Sequence, residues 1–127
     1  MQTLQPRISA RARDDAFHQL HQAAHAAGLE ATATTDTTPM IVTDGVKTWY
    51  AGEGPCGFAW VRVRPATSSF ARWAMKHELM RKSYTGGAML WVHDFNQSLE
   101  LKTAYAHAYA QTLRDAGIDA QAEFRMD

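Results

Sequence analysis

An α+β fold, with a mostly antiparallel sheet of about five strands, two long helices packed on one face and a short third helix, is what this sequence predicts. Three observations carry the expectation. Apolar residues recur at helical spacing in two long segments, before Gly28 and before Gly117. Between them lie short runs rich in β-branched and aromatic residues, bounded by Gly, Pro and Asp-Gly. Finally, 127 residues suit a single domain, 1–127, large enough for a core without disulfide or metal staples.

The first helix is expected from about Ser9 to Ala27, with Phe17, Leu20, Ala24 and Ala27 as its buried stripe and Gly28 as a left-handed stop. The threonine-rich stretch Glu30 to Thr38 reads as an edge strand or a loop. Met40 to Thr43, Asp44-Gly45 and Val46 to Tyr50 make a hairpin, because Asp-Gly supplies the positive φ angles of a type I′ turn. Gly52-Glu53-Gly54-Pro55 then turns the chain into a third meander strand, Cys56 to Arg64. That run lacks both the Walker lysine-hydroxyl pair and the dinucleotide glycine spacing, so it reads as a plain turn.

After Pro65, Thr67-Ser68-Ser69 caps a short helix with Phe70, Trp73, Ala74 and His77 on one side, ending near Met80. Gly86-Gly87 leads into Ala88 to His93, apolar enough to be buried on both faces and therefore central. Asp94 or Asn96 caps the last helix, about Gln97 to Ala116, with Leu101, Tyr105, Ala108, Thr112 and Leu113 inward. Gly117 stops it. Ile118 to Asp127 closes the sheet, alternating Ala120, Ala122, Phe124 and Met126 with polar residues. The similar joints Ala26 to Ala31 and Asp115 to Ala120 are too short to establish a repeat.

Composition narrows the function classes. No apolar run is long enough for a bilayer, and Met1 to Arg13 has neither a signal core nor a cleavage site, so a cytoplasmic protein is expected. Cys56 is the single cysteine, which fits a reducing compartment. The net charge is zero, which argues against a general nucleic-acid coat. Charge is nonetheless uneven: Arg62, Arg64, Arg72, Lys76, Arg81 and Lys82 fall between Pro55 and Gly86 against Glu78 alone.

The strand within that basic segment carries two chemistries. Alternation sends Gly57, Ala59, Val61 and Val63 to one face and Phe58, Trp60, Arg62 and Arg64 to the other. If the small residues face the helices, the aromatic and cationic ones form a platform for a planar, anionic ligand; the competing reading makes Phe58 and Trp60 core. Gly57-Phe58-Ala59-Trp60-Val61 matches the inner part of the RNP1 pattern of RNA-recognition domains. Its outer positions fail, with Cys56 for the basic residue and Val63 for the last aromatic, and no RNP2-like strand precedes the first helix.

Two constellations with catalytic or metal chemistry are weaker. Asp14, His18, His21 and His25 share a flank of the first helix at spacings that suit zinc or nickel, but the simpler reading is a polar border beside the apolar stripe, no second cysteine or carboxylate cluster supports a closed site, and no metal or cofactor is expected. Cys56 is a nucleophile only if a histidine such as His93 activates it; the simpler reading is a buried cysteine at a strand entrance.

From Ser83-Tyr84-Thr85-Gly86-Gly87 through Leu90 to Ser98, Lys102 to Ala106, Ala116-Gly117-Ile118 and Arg125-Met126-Asp127, together with Pro55 to Pro65, the chain resembles small tailed-bacteriophage proteins of no established activity. The resemblance covers about residues 40–127 and implies a phage origin and the host cytoplasm but no mechanism. The expected function is a non-enzymatic accessory protein that binds a nucleotide or single-stranded nucleic acid. Phe58 or Trp60 would stack on a base, and Arg62, Arg64 and Arg72 would hold phosphate. The rival is a structural or host-protein interaction module, a homodimer or an inhibitor of a host enzyme, using the same patch. A small cysteine- or metal-dependent enzyme is a third reading.

Overall fold

The computed structural model describes residues 9–36, 55–95 and 98–127 in full, and the backbone of 40–43 and 48–51. Among these residues, three helices, α1 (Ala10–Ala33), α2 (Ser69–Lys76) and α3 (Leu99–Asp115), accompany six strands: β1 (Met40–Thr43), β2 (Thr48–Ala51), β3 (Gly57–Val63), β4 (Arg81–Lys82), β5 (Ala88–Trp91) and β6 (Ala120–Met126). The expected Asp44-Gly45 and Gly52-Glu53-Gly54 turns lie outside the described residues.

The main sheet has four strands in the order β4-β5-β3-β6, every neighbour antiparallel, and the hairpin β1-β2 forms a two-stranded sheet of its own. This corrects the meander: β3 pairs with β5 and β6, with Trp60 opposite both Trp91 and Glu123. Because β5 and β6 both run antiparallel to β3, they are parallel to each other, and α3 is the crossover that spans the strand between them.

Ala59, Val61 and Val63 are fully buried with Ala88, Leu90 and Ala120, beneath Tyr105, Ala106, Tyr109, Ala110 and Leu113 of α3. Each fully buried Val or Leu here contributes roughly 1.5 to 3 kcal/mol. The burial of α3 differs from the expected stripe. Lys102, Ala106, Tyr109 and Ala110 are inward, whereas Leu101, Ala108 and Thr112 are half-buried. The two tyrosines set this rotation, since their hydroxyls meet α1.

Helix α1 begins at Ser9, whose side chain accepts from the Ala12 amide, and runs through Gly28 to Ala33. The glycine stop is therefore a correction, as is a strand at Glu30. A Cβ on Gly28 would stand 2.4 Å from Cδ2 of Tyr105, so the glycine allows α1 to approach α3 closely. Packing of the long helices is layered: α3 crosses β3 and β6, and the chief partner of α1 is α3.

The remaining boundaries shift modestly. Helix α2 stops at Lys76, and the chain then forms the short strand β4, which was not expected. A tight turn over 83–87 returns it to β5, with the Ser83 amide donating to the Gly87 carbonyl at 2.9 Å. Gly87 has φ +72°, and a Cβ there would lie 2.6 Å from the Val63 carbonyl oxygen. Strand β5 is buried on one face only, through Ala88 and Leu90. Ser98 caps α3, in place of Asp94 or Asn96, by accepting from the Leu101 amide. Phe124 and Met126, expected inward on β6, are 56% and 66% exposed, since β6 is an outer strand and these positions lie at the margin of helix cover.

Candidate ligand-binding face

The helices bury their apolar residues with the small-residue face of β3, so Phe58, Trp60 and Arg62 stand on the other face. Cross-strand pairing adds Met89 and Trp91 from β5, and Gln121, Glu123 and Arg125 from β6. Among the described residues, no helix covers this side. Phe58, Trp60, Met89 and Trp91 are all half-buried, which is what a flat row of rings between long polar neighbours gives.

The aromatic row is ordered. Trp60 and Trp91, directly opposite in the β3-β5 ladder, stack with centroids 5.2 Å apart and planes 1° from parallel. Phe58 meets the other indole, Trp91, at 5.7 Å. Arg125 lies 5.1 Å from the centroid of Phe58 and Lys102 of α3 lies 5.4 Å away, cations over a π face. Lys102 is 3% exposed and donates to the Gly57 carbonyl at 3.3 Å.

Arg62 does not behave as a phosphate ligand. It is 6% exposed, and its Nε donates to both carboxylate oxygens of Glu123 at 2.9 and 3.0 Å. Its Nη1 donates to Ser83 Oγ at 3.0 Å and to the Gly86 carbonyl. Trp60 Nε1 donates to the same Glu123 at 2.8 Å. The guanidinium is thus an internal strut that aligns β3, β6 and the 83–87 turn, and its charge is already compensated. Sequence reasoning missed Glu123 because its partners are 61 and 63 residues away.

The other predicted cations separate. Arg64 is exposed beyond the end of β3. Arg72 sits on α2 in a cleft of about 570 Å³ between α1 and α2, with Arg13, Phe17 and Lys76, away from the aromatic row. What the open face offers instead is Arg81, which lines a cleft of about 410 Å³ with Glu78, Leu79, Met89, Trp91 and His93. Trp91 is therefore shared between the stacked pair and that cleft. A signal for Trp91 existed in its alternation within β5, hidden by the strongly apolar composition of that strand.

The histidine flank of α1 divides. His21 Nδ1 is 2.7 Å from the Tyr109 hydroxyl, and His25 Nδ1 is 2.5 Å from the Tyr105 hydroxyl. Burial, followed by the charges of His25 and His18, holds the His21 pKa below its usual value, so a neutral ring shares the hydrogen bond with Tyr109. Burial pushes Tyr109 upward and Tyr105 up to about 12, keeping both hydroxyls protonated. Asp14 and His18 instead meet His77 at the end of α2. The indole N–H of Trp73 donates to Asp14 Oδ1 at 2.8 Å. That bond first, and the neighbouring histidines second, hold the Asp14 carboxyl below its usual range against the opposing effect of desolvation.

Cys56 is exposed, contrary to the buried reading, and its backbone bridges to Ser98. Among the described residues, no helix is long and apolar enough to cross a membrane. Comparisons with protein-family models, with curated proteins and with solved structures find no match for this chain.

Proposed function

We propose that this chain is a binding protein, with no catalytic step of its own, that takes a nucleotide or single-stranded nucleic acid on the open face of its sheet. The observation that carries the proposal is the parallel Trp60–Trp91 pair, half-exposed on a sheet face with Phe58 beside it. An antiparallel sheet presenting aromatic rings is suited to bases, because every base offers a π face and stacking contributes roughly 1 to 3 kcal/mol per base. Arg81, in the cleft bounded by Trp91, supplies a cation within the same neighbourhood, and Arg125 supplies another at Phe58. The phage likeness of residues 40–127 makes the cytoplasm of an infected bacterium the setting of this proposal.

Titration with mononucleotides and short single-stranded oligonucleotides is expected to quench tryptophan fluorescence, with affinity falling as salt is raised. Trp91→Ala and Trp60→Ala are each expected to weaken binding by roughly 5- to 150-fold, the equivalent of one lost stack. Binding left intact in both variants would sink the proposal.

A second reading, a homodimer or a docking module for a host protein, is favoured by β6. This outer strand presents Phe124 and Met126 to solvent. Light scattering on Phe124→Lys distinguishes it: a dimer that becomes a monomer supports the second reading, and a wild-type monomer removes the homodimer.

A further inference from the structure

We propose that Asp14, His18 and His77 form a binding site for a divalent transition-metal ion of the zinc, nickel or cobalt class, independent of the aromatic sheet face. Three potential donors, one from each residue, all lie within 4.8 Å of one another. His18 Nε2 stands 3.7 Å from Asp14 Oδ2, and His77 Nε2 stands 3.3 Å from Asp14 Oδ1. An ion bonded tetrahedrally at about 2.0 to 2.1 Å sets its donors about 3.3 to 3.4 Å apart; the His77–Asp14 separation matches such an edge, and the His18 separation, to the other carboxylate oxygen, is a few tenths of an ångström longer. Two imidazoles and one carboxylate are also the donor set that these cations favour over calcium or magnesium.

The surrounding residues hold the donors in place. Asp14 and His18 are one helical turn apart on α1, and His77 is the C-cap residue of α2. The His18 and His77 rings meet edge to face at 4.9 Å, and both touch the Trp73 indole, at 4.9 and 4.8 Å. Trp73 Nε1 donates to Asp14 Oδ1, the outer hydrogen bond that commonly fixes a ligating carboxylate. Three protein donors leave a fourth position for water or an anion. Asp14 also lines the neighbouring cleft with Arg13, Arg72 and Lys76, so an anion at that position would lie beside a cationic wall.

The test uses tag-free, chelator-treated protein. Titration calorimetry with zinc chloride is expected to give one equivalent of binding, and Co²⁺ is expected to give the visible d–d absorption of a low-coordinate histidine site. His18→Ala and His77→Ala, both at exposed positions, are each expected to weaken zinc by at least tenfold. Trp73→Phe, which removes the outer hydrogen bond together with part of the ring surface that His18 and His77 touch, is expected to weaken it by roughly tenfold. His107→Ala, on the exposed side of α3, should leave it unchanged. Absence of one-equivalent binding, or full affinity retained in either His18→Ala or His77→Ala, overturns the proposal; circular dichroism checks that each variant is folded.

Discussion

Glu123 accepts from Trp60 Nε1 and from Arg62 Nε, so one carboxylate satisfies two side chains of β3. Glu123→Ala would leave the nearly buried guanidinium without its counter-charge, at a cost of about 2 to 3 kcal/mol. Urea unfolding measures this; a midpoint within error of wild type would make the pair a surface ornament. Gly28 sets a smaller effect against a larger one. Alanine gains about 1 kcal/mol of helix propensity, but its Cβ would overlap the Tyr105 ring, and overpacking costs typically 1 to 3 kcal/mol. Gly28→Ala is therefore expected to lower the thermal midpoint, and a rise would show that the α1–α3 seam yields easily. Neither residue's role was legible in the sequence. A glycine that ends a helix and a glycine that lets two helices touch look the same there, and a pair 61 residues apart leaves no local pattern.

At the scale of elements, α1 meets α3 through two imidazole–tyrosine bonds, and the lowered His21 pKa gives that seam a pH dependence. The unfolded chain binds a proton near the ordinary value of 6.5, whereas folded His21 binds it only at lower pH. The contribution is thus fully present above about 6.5 and is lost as pH falls from there through the lower, folded pKa. Urea midpoints are expected to be level between about pH 7 and 8 and to decline below about 6.5. His21→Gln should flatten part of that decline; an unchanged slope would assign it to other groups. Much at this scale was readable: α2, α3, β3, β5 and β6 fall where periodicity and glycine or proline boundaries put them. Arg81-Lys82 was not, because a two-residue strand has no period, and its pairing is set by the 83–87 turn. His77 likewise has no sequence link to Asp14, and only the packing of α2 on α1 joins them.

At the scale of the molecule, residues from all three helices and from β3, β5 and β6 share one apolar cluster. Unfolding is accordingly expected as a single transition, coincident by tryptophan fluorescence and far-ultraviolet circular dichroism. Separate midpoints would mean that the helical layer and the sheet come apart independently. The alternation in β3 told which residues share a face, but the decision between core and open face needed α3, whose buried tyrosines lie over Ala59, Val61 and Val63.

The position of β3 between β5 and β6 also governs how the chain reaches this state. Its pairing with β6 joins Trp60 to Glu123 across 63 residues, with α2, β4, β5 and α3 all intervening. Until β6 docks, the central strand has one open edge and the α3 crossover has nothing to close onto. A ladder of such long sequence separation forms late and slowly, since the loop entropy must be overcome before any of its contacts stabilise the chain. During synthesis, therefore, an aromatic strand with a bare edge persists while everything up to β6 is being made, and that interval is when the protein is most exposed to mispairing.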